Sequence, residues 1–127
     1  MMKFTNTVFN NANFMKTLEK INDSEGLPGK VAFGFYLLSK KLDERNQAFH
    51  KIRIKLLEKY GTPDENKENY SVEGENLPVF QAEFTDLMNE PFEFDFEKFP
   101  YEESLNLTPA EMYAMESIFD YSNFETE

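Results

Sequence analysis

Between Lys40 and Lys55 the chain carries six basic side chains, Lys40, Lys41, Arg45, Lys51, Arg53 and Lys55. Between Glu93 and Glu97 it carries three acidic ones, Glu93, Asp95 and Glu97. Guanidinium groups grip phosphate as a fork and ammonium groups as point charges. With Tyr36 or Tyr60 to stack on a ring, Lys40, Lys41, Arg45 and Arg53 form a candidate binding set for a small phosphate-bearing molecule, best placed at an interface between two copies. The ordinary alternative is a solvated helix face neutralised by acids elsewhere in the chain. The acidic row implies a partner of opposite charge. Its members alternate with Phe92, Phe94 and Phe96, so on a strand they share the outer face, roughly 6–7 Å apart. Carboxylates so spaced can imitate a nucleic-acid backbone and suit a basic protein. The ordinary alternative here is protection of an edge strand against unwanted pairing.

Little else in the sequence points to catalysis. His50 is the only histidine and there is no cysteine, so a histidine-based metal site, a thiolate site or a Ser–His–Asp arrangement lacks partners. A structural or surface histidine is the expectation. No phosphate loop, dinucleotide fingerprint or HExxH motif occurs. Asp64 to Glu68 supplies oxygen ligands without the spacing and central glycine of a calcium loop. The expectation is a chain that is not an enzyme and holds no cofactor.

The basic set lies on the stretch that organises the chain, Leu27 to Tyr60. Pro28 suits a first helical turn, where its missing N–H has no partner to lose. The run then contains no proline, and Gly34 as its one internal glycine past the first turn, until Gly61-Thr62-Pro63 stops it. Val31, Phe35, Leu38, Leu42, Phe49, Ile52 and Leu56 recur at heptad spacing, with Arg45 filling one apolar slot. Val31 to Leu38 is apolar on all sides, which predicts burial on several sides. Gly34 within it implies close approach by another element. The stripe exceeds what a return helix of about 14 residues covers at about 1.5 Å per residue, which predicts a dimer or higher oligomer.

Around this helix the reading is mainly α (α+β). Phe4 starts a short strand. A helix capped by Asn6 or Asn10 reaches about Asn22 with Phe14, Leu18 and Ile21 on one side. Gly61 to Asn69 is a polar turn, and Tyr70 to Val72 a short strand. Asn76 caps a helix to about Asn89 that shows Leu77, Phe80, Phe84, Leu87 and Met88 on one face. Phe92 to Phe96 is a strand that pairs antiparallel with Phe4 or with Tyr70–Val72. Thr108 and Glu111 form a capping box with Pro109 at the first helical position, and Met112, Met115 and Phe119 follow along one face. The tail from Asn123 frays. The whole is one long central helix, three shorter helices and a small antiparallel sheet in one domain, residues 1–127.

Charge divides this domain unevenly. Residues 1–60 hold 11 Lys and Arg against 6 Asp and Glu, and residues 61–127 hold 2 against 18, for a net charge of −11. The acidic half is expected to pack around the basic helix, neutralise part of it, and leave negative surface that repels nucleic acid. No apolar run approaches a membrane span, and the amino terminus lacks a signal peptide's apolar core. A reducing cytoplasm is the expected compartment.

Several segments, taken in order, resemble known proteins: Lys3-Phe4-Thr5-Asn6, Leu27-Pro28-Gly29-Lys30-Val31, Glu58-Lys59-Tyr60-Gly61, the Phe80-Glu83-Leu87 helix, and Leu107-Thr108-Pro109-Ala110-Glu111-Met112. The order resembles small uncharacterised proteins of tailed bacteriophages, including those of crAss-like phages of gut Bacteroidetes and the family called DUF1617. The resemblance spans most of the chain and consists of helix starts, stops and apolar stripes, and it transfers no functional residue. It implies a viral origin. The expected function is then non-enzymatic: a phage accessory protein that binds and inhibits or sequesters a host factor, such as a defence component, in the host cytoplasm. The alternative it implies is a structural part of the capsid, neck or tail. The expected partners are a host or viral protein and a second copy of the chain.

Overall fold

The computed structural model describes residues 1–65 and 69–124. Met2–Thr5 forms β1, and a 3-10 turn, Asn6–Asn10, follows it. Helix α1 spans Ala12–Asn22 and α2 spans Gly29–Tyr60. Two two-residue strands, β2 (Thr62–Pro63) and β3 (Tyr70–Ser71), precede α3 (Asn76–Asn89). Then come β4 (Pro91–Phe94), β5 (Phe99–Pro100), a 3-10 turn at Glu103–Leu105, α4 (Pro109–Ala114), β6 (Phe119–Asp120) and a last 3-10 turn at Ser122–Phe124. The architecture is mainly α: a long central helix, three shorter ones and small two-stranded sheets. No helix among the described residues is long and apolar enough to cross a membrane. The middle of the polar turn expected at 61–69 and the last tail residues lie outside the described residues.

The expected sheet forms with the first of its two candidate partners. β1 pairs antiparallel with β4 in the register Met2↔Phe94 to Thr5↔Pro91. Tyr70–Ser71 pairs with Thr62–Pro63 instead, closing the excursion after α2 into a small antiparallel hairpin. β5 and β6 pair in parallel, Phe99 with Phe119 and Pro100 with Asp120.

Two expected elements end early. The strand expected over Phe92–Phe96 stops at Phe94, which pairs with Met2, the first residue of β1. The chain bends at Asp95, and the Phe96 amide donates to the Phe94 carbonyl at 2.8 Å. At the other end, α4 stops at Ala114, so Phe119, expected on a helix face, is a strand residue. The first helix is capped by neither expected asparagine. Asn11 Oδ1 accepts from the Phe14 amide at 3.1 Å, while Asn6 is buried.

Most of the heptad stripe meets the chain's own core. Phe35, Leu38, Leu42 and Phe49 are each at most 2% exposed. Phe35 stacks on Phe119, with centroids 6.2 Å apart, and Phe49 meets Phe9 at 5.8 Å. Burying a Phe side chain of this kind contributes on the order of 2–3 kcal/mol. The stripe fails at Ile52, which is 46% exposed. Gly34 is approached as expected, and by a ring: a Cβ there would lie 2.9 Å from Phe99 Cε1. The chain thus covers Phe35, Leu38, Leu42 and Phe49 itself and leaves the stripe open at Ile52. A further uncovered apolar surface lies on a different face of α2.

Candidate functional site

That face follows from helical spacing. Positions 30, 33, 37, 40 and 44 of α2 recur every three or four residues and point away from the Phe35–Leu38–Leu42 side. Phe33 is 63% exposed, Tyr36 56% and Leu37 38%. The Phe33 and Tyr36 rings stack with centroids 6.2 Å apart. The expectation that Val31–Leu38 is buried on several sides is thus corrected. Phe35 and Leu38 are buried, but among the described residues no other element crosses the opposite side of the helix, and Phe33, Tyr36 and Leu37 stay in solvent. Lys30, Lys40 and Lys41 are exposed at the two ends of this patch. They make no ion pair among the described residues, whose pairs are Lys3–Glu93, Lys20–Glu111 and Arg45–Glu90.

The basic set predicted from sequence does not converge. Lys40 and Lys41 belong to the exposed face just described. Arg45 belongs to the fold: its Nε donates to Asn6 Oδ1 at 3.1 Å and its Nη2 lies 3.4 Å from Glu90 Oε1. Its guanidinium also sits 4.5 Å over the Phe92 ring. Asn6 in turn donates through Nδ2 to the Leu87 carbonyl at 2.8 Å. One side chain therefore ties α2 to the N-terminal turn, the end of α3 and β4, and its slot in the heptad is filled rather than interrupted. Arg53 is half-buried, and its Nε is enclosed without a hydrogen-bond partner, as is Glu83 Oε2 of α3. Lys51 and Lys55 are exposed. Tyr36 and Tyr60, the two candidate stacking rings, stand 24 positions apart on one straight helix, on the order of 36 Å. Lys40 and Arg53 are themselves 13 positions apart, on the order of 20 Å, so one chain does not gather Lys40, Lys41, Arg45 and Arg53 around either ring.

The acidic row is also dispersed. Glu93 lies on β4, exposed, with its carboxylate 3.9 Å from Lys3 Nζ. Asp95 and Glu97 are exposed but lie beyond the end of the strand, so the three no longer share one strand face. His50 is an exposed residue beside the Phe49 ring, centroids 5.8 Å apart. No group of three or more Asp, Glu or His side chains among the described residues could hold a metal ion.

The acidic half neutralises little of the basic helix. Arg45–Glu90 is the one ion pair between them among the described residues. Sequence reasoning missed Phe33 and Leu37 as surface residues. The signal was present: an apolar run with no polar side needs neighbours all round, and this chain has too few elements to supply them.

No protein-family model matches this chain, and neither does any curated protein or solved structure.

Proposed function

We propose that this chain acts by binding a macromolecular partner, through the outer face of the first half of α2. The observation that carries this reading is the exposed Phe33–Tyr36–Leu37 patch with free lysines at both ends. Aromatic side chains are favoured anchors of interfaces, because they desolvate a large area with few rotors to freeze. Lys30, Lys40 and Lys41 select an acidic rim on the partner, and through charge they act on the rate of encounter as well as on specificity. The same charges disfavour the simplest self-pairing. Two copies stacked on this patch about a two-fold axis bring like lysine clusters together. The preferred partner is therefore a different protein that presents apolar side chains among carboxylates. The resemblance to small tailed-phage proteins supports a host factor, such as a defence component, as that partner, with a virion part as the competing role.

The test uses extract from infected cells, with the unchanged chain and the Phe33→Ser/Tyr36→Ser double variant as baits, and with virions purified in parallel. A protein retained by the first bait and lost by the folded second, with the chain missing from virions by mass spectrometry, is the expected result. Equal retention by both baits overturns the assignment of the face. Stoichiometric presence in virions replaces the host-directed role with the structural one.

A further inference from the structure

The second half of α2 and the helix that returns along it leave one shared face open. The two helices run antiparallel in a fixed register. The Arg45 guanidinium meets Glu90 at one end, and Asn76 Nδ2 donates to the Tyr60 carbonyl at 3.3 Å at the other. Helical spacing turns Ala48, Lys51, Ile52 and Lys55 of α2 to the same side as Val79 and Asp86 of α3. All six are exposed. A shallow cleft lined by Ala48, Ile52, Leu87 and Glu90 runs between the helices on this side. Ile52, the open end of the heptad stripe, thus lies near the middle of the face, with Lys51 and Lys55 further out on the α2 side and Asp86 on the α3 side.

Charge splits along this face. Residues 48–60 carry four Lys and Arg against one Glu, and residues 76–90 carry three Asp and Glu and no base. Lys51, Lys55 and Asp86 make no ion pair among the described residues. We infer that a second copy of the chain docks here, with α2 of each copy over α3 of the other, about a two-fold axis parallel to the helices. Rotation about that axis sets the basic edge of each copy on the acidic edge of the other, whereas a perpendicular two-fold sets α2 on α2 and like charge on like. Because Arg45 is level with Glu90 and Tyr60 with Asn76, Lys51 falls within a turn of Asp86 opposite it. Ile52 and Ala48 of the two copies meet near the axis and close an apolar centre between four helices. A foreign partner would need this pattern reversed; the chain already carries both halves. The face measures about 20 by 20 Å, which buries about 800 Å² over both copies, the low end for a specific interface, so the association is weak and set by concentration. It uses none of Phe33, Tyr36 and Leu37, so it stands or falls separately from the face proposed above.

Sedimentation velocity of the unchanged chain should show the mean mass rising from 15.0 kDa towards twice that value as concentration goes from about 10 µM to about 1 mM. Lys51→Glu/Lys55→Glu and Asp86→Lys should each weaken association about tenfold or more, and the variant with all three changes should associate like the unchanged chain. General repulsion predicts a different order. Each Lys→Glu takes 2 from the net charge of −11 and Asp86→Lys adds 2, giving −15, −9 and −13, so by net charge alone Asp86→Lys would associate best. A monomer mass throughout, tighter association of Asp86→Lys, or a triple variant no better than Lys51→Glu/Lys55→Glu overturns the inference. Should a variant fail to fold, cross-linking decides. The chain has no cysteine, so a short bismaleimide should join two copies of Ile52→Cys and not of Ile54→Cys, which is exposed on the other side of α2. Equal joining of the two overturns the assignment of the face.

Discussion

Arg45 shows at the scale of one residue how a charged side chain serves a core. It occupies a heptad position and covers the Phe92 ring, and it holds the buried Asn6 and the Glu90 carboxylate. Truncation leaves Asn6 Oδ1 without its donor in a buried setting, so Arg45→Ala is expected to lose about 2–3 kcal/mol in urea unfolding, the range for removing a charged partner from a buried acceptor. Lysine is no substitute, because it offers a point charge where a planar group must both stack and donate; Arg45→Lys should recover less than half of the loss. A loss below about 0.5 kcal/mol in Arg45→Ala would mean that water takes over both roles. Tyr121 makes a second case. Its hydroxyl donates to the Met112 carbonyl at 2.8 Å, and burial above all, with the charges of Tyr101 and Glu116 adding to it, pushes its pKa up to about 12. A raised pKa means that the unfolded chain releases this proton first. The associated stability is therefore complete below about pH 10, the ordinary tyrosine value, and is lost as pH rises from there towards 12. Absorbance at 295 nm should resolve one late-titrating tyrosine that disappears in Tyr121→Phe, and stability measured from pH 9 to 12 should fall less steeply in that variant.

At the scale of elements, the contact at Gly34 sets helix propensity against packing. Alanine gains about 1 kcal/mol over glycine within a helix. Here its Cβ would meet Phe99 Cε1 at 2.9 Å, and that ring is held by Phe35 with centroids 6.1 Å apart and by the pairing of β5 with β6. Overpacking of this kind costs about 1–3 kcal/mol, so Gly34→Ala is expected to be net destabilising in spite of its propensity. Combined with Phe99→Leu, the alanine should become stabilising; a double-mutant cycle without coupling would mean that the ring simply swings aside. The Thr108–Glu111 capping box is reciprocal as expected, with distances of 3.2 and 2.8 Å. Its removal in Thr108→Ala should cost about 1 kcal/mol. Signals of this local kind were legible in the sequence: the extents of α2 and α3 to within a residue or two, the capping box, and the Phe4 segment as one of two candidate partners for the Phe92 strand. What depended on partners was not. The Phe92–Phe96 alternation is real, yet a strand is as long as its neighbour permits, and β1 ends its ladder at Met2. Phe119 keeps helical spacing from Met112 and Met115 and is drawn into a strand by Phe99 instead. For the same reason Phe94→Ala should cost less than Phe35→Ala, about 1–2 against 3–5 kcal/mol, since Phe94 is half-buried and Phe35 fully so.

At the scale of the whole molecule the chain keeps its charges apart. The division between a basic first half and an acidic second half was legible from composition, but composition does not say which charges meet. The described ion pairs join only Lys3, Lys20 and Arg45 to the acidic half, and the lysines at the ends of the exposed α2 patch remain available for a partner. Self-repulsion among the surplus carboxylates follows. Asp95 and Glu97 are the sharpest place to measure it. They are exposed, they lie beyond the last strand pair, and they make no ion pair among the described residues, whereas Glu93 has Lys3 nearby. Neutralising both, in Asp95→Asn/Glu97→Gln, takes the net charge from −11 to −9. The double variant should gain a few tenths of a kcal/mol at low ionic strength, the order of one like-charge contact relieved. Adding Glu93→Gln should return part of that gain, because an exposed pair of about 0.2–1 kcal/mol goes with it. At 1 M salt, where screening acts within about 3 Å, the gain from the double variant should vanish. A gain that persists at high salt would assign the effect to the conformation of the bend at Asp95 rather than to charge, and would leave the negative surface without a measurable cost to the fold.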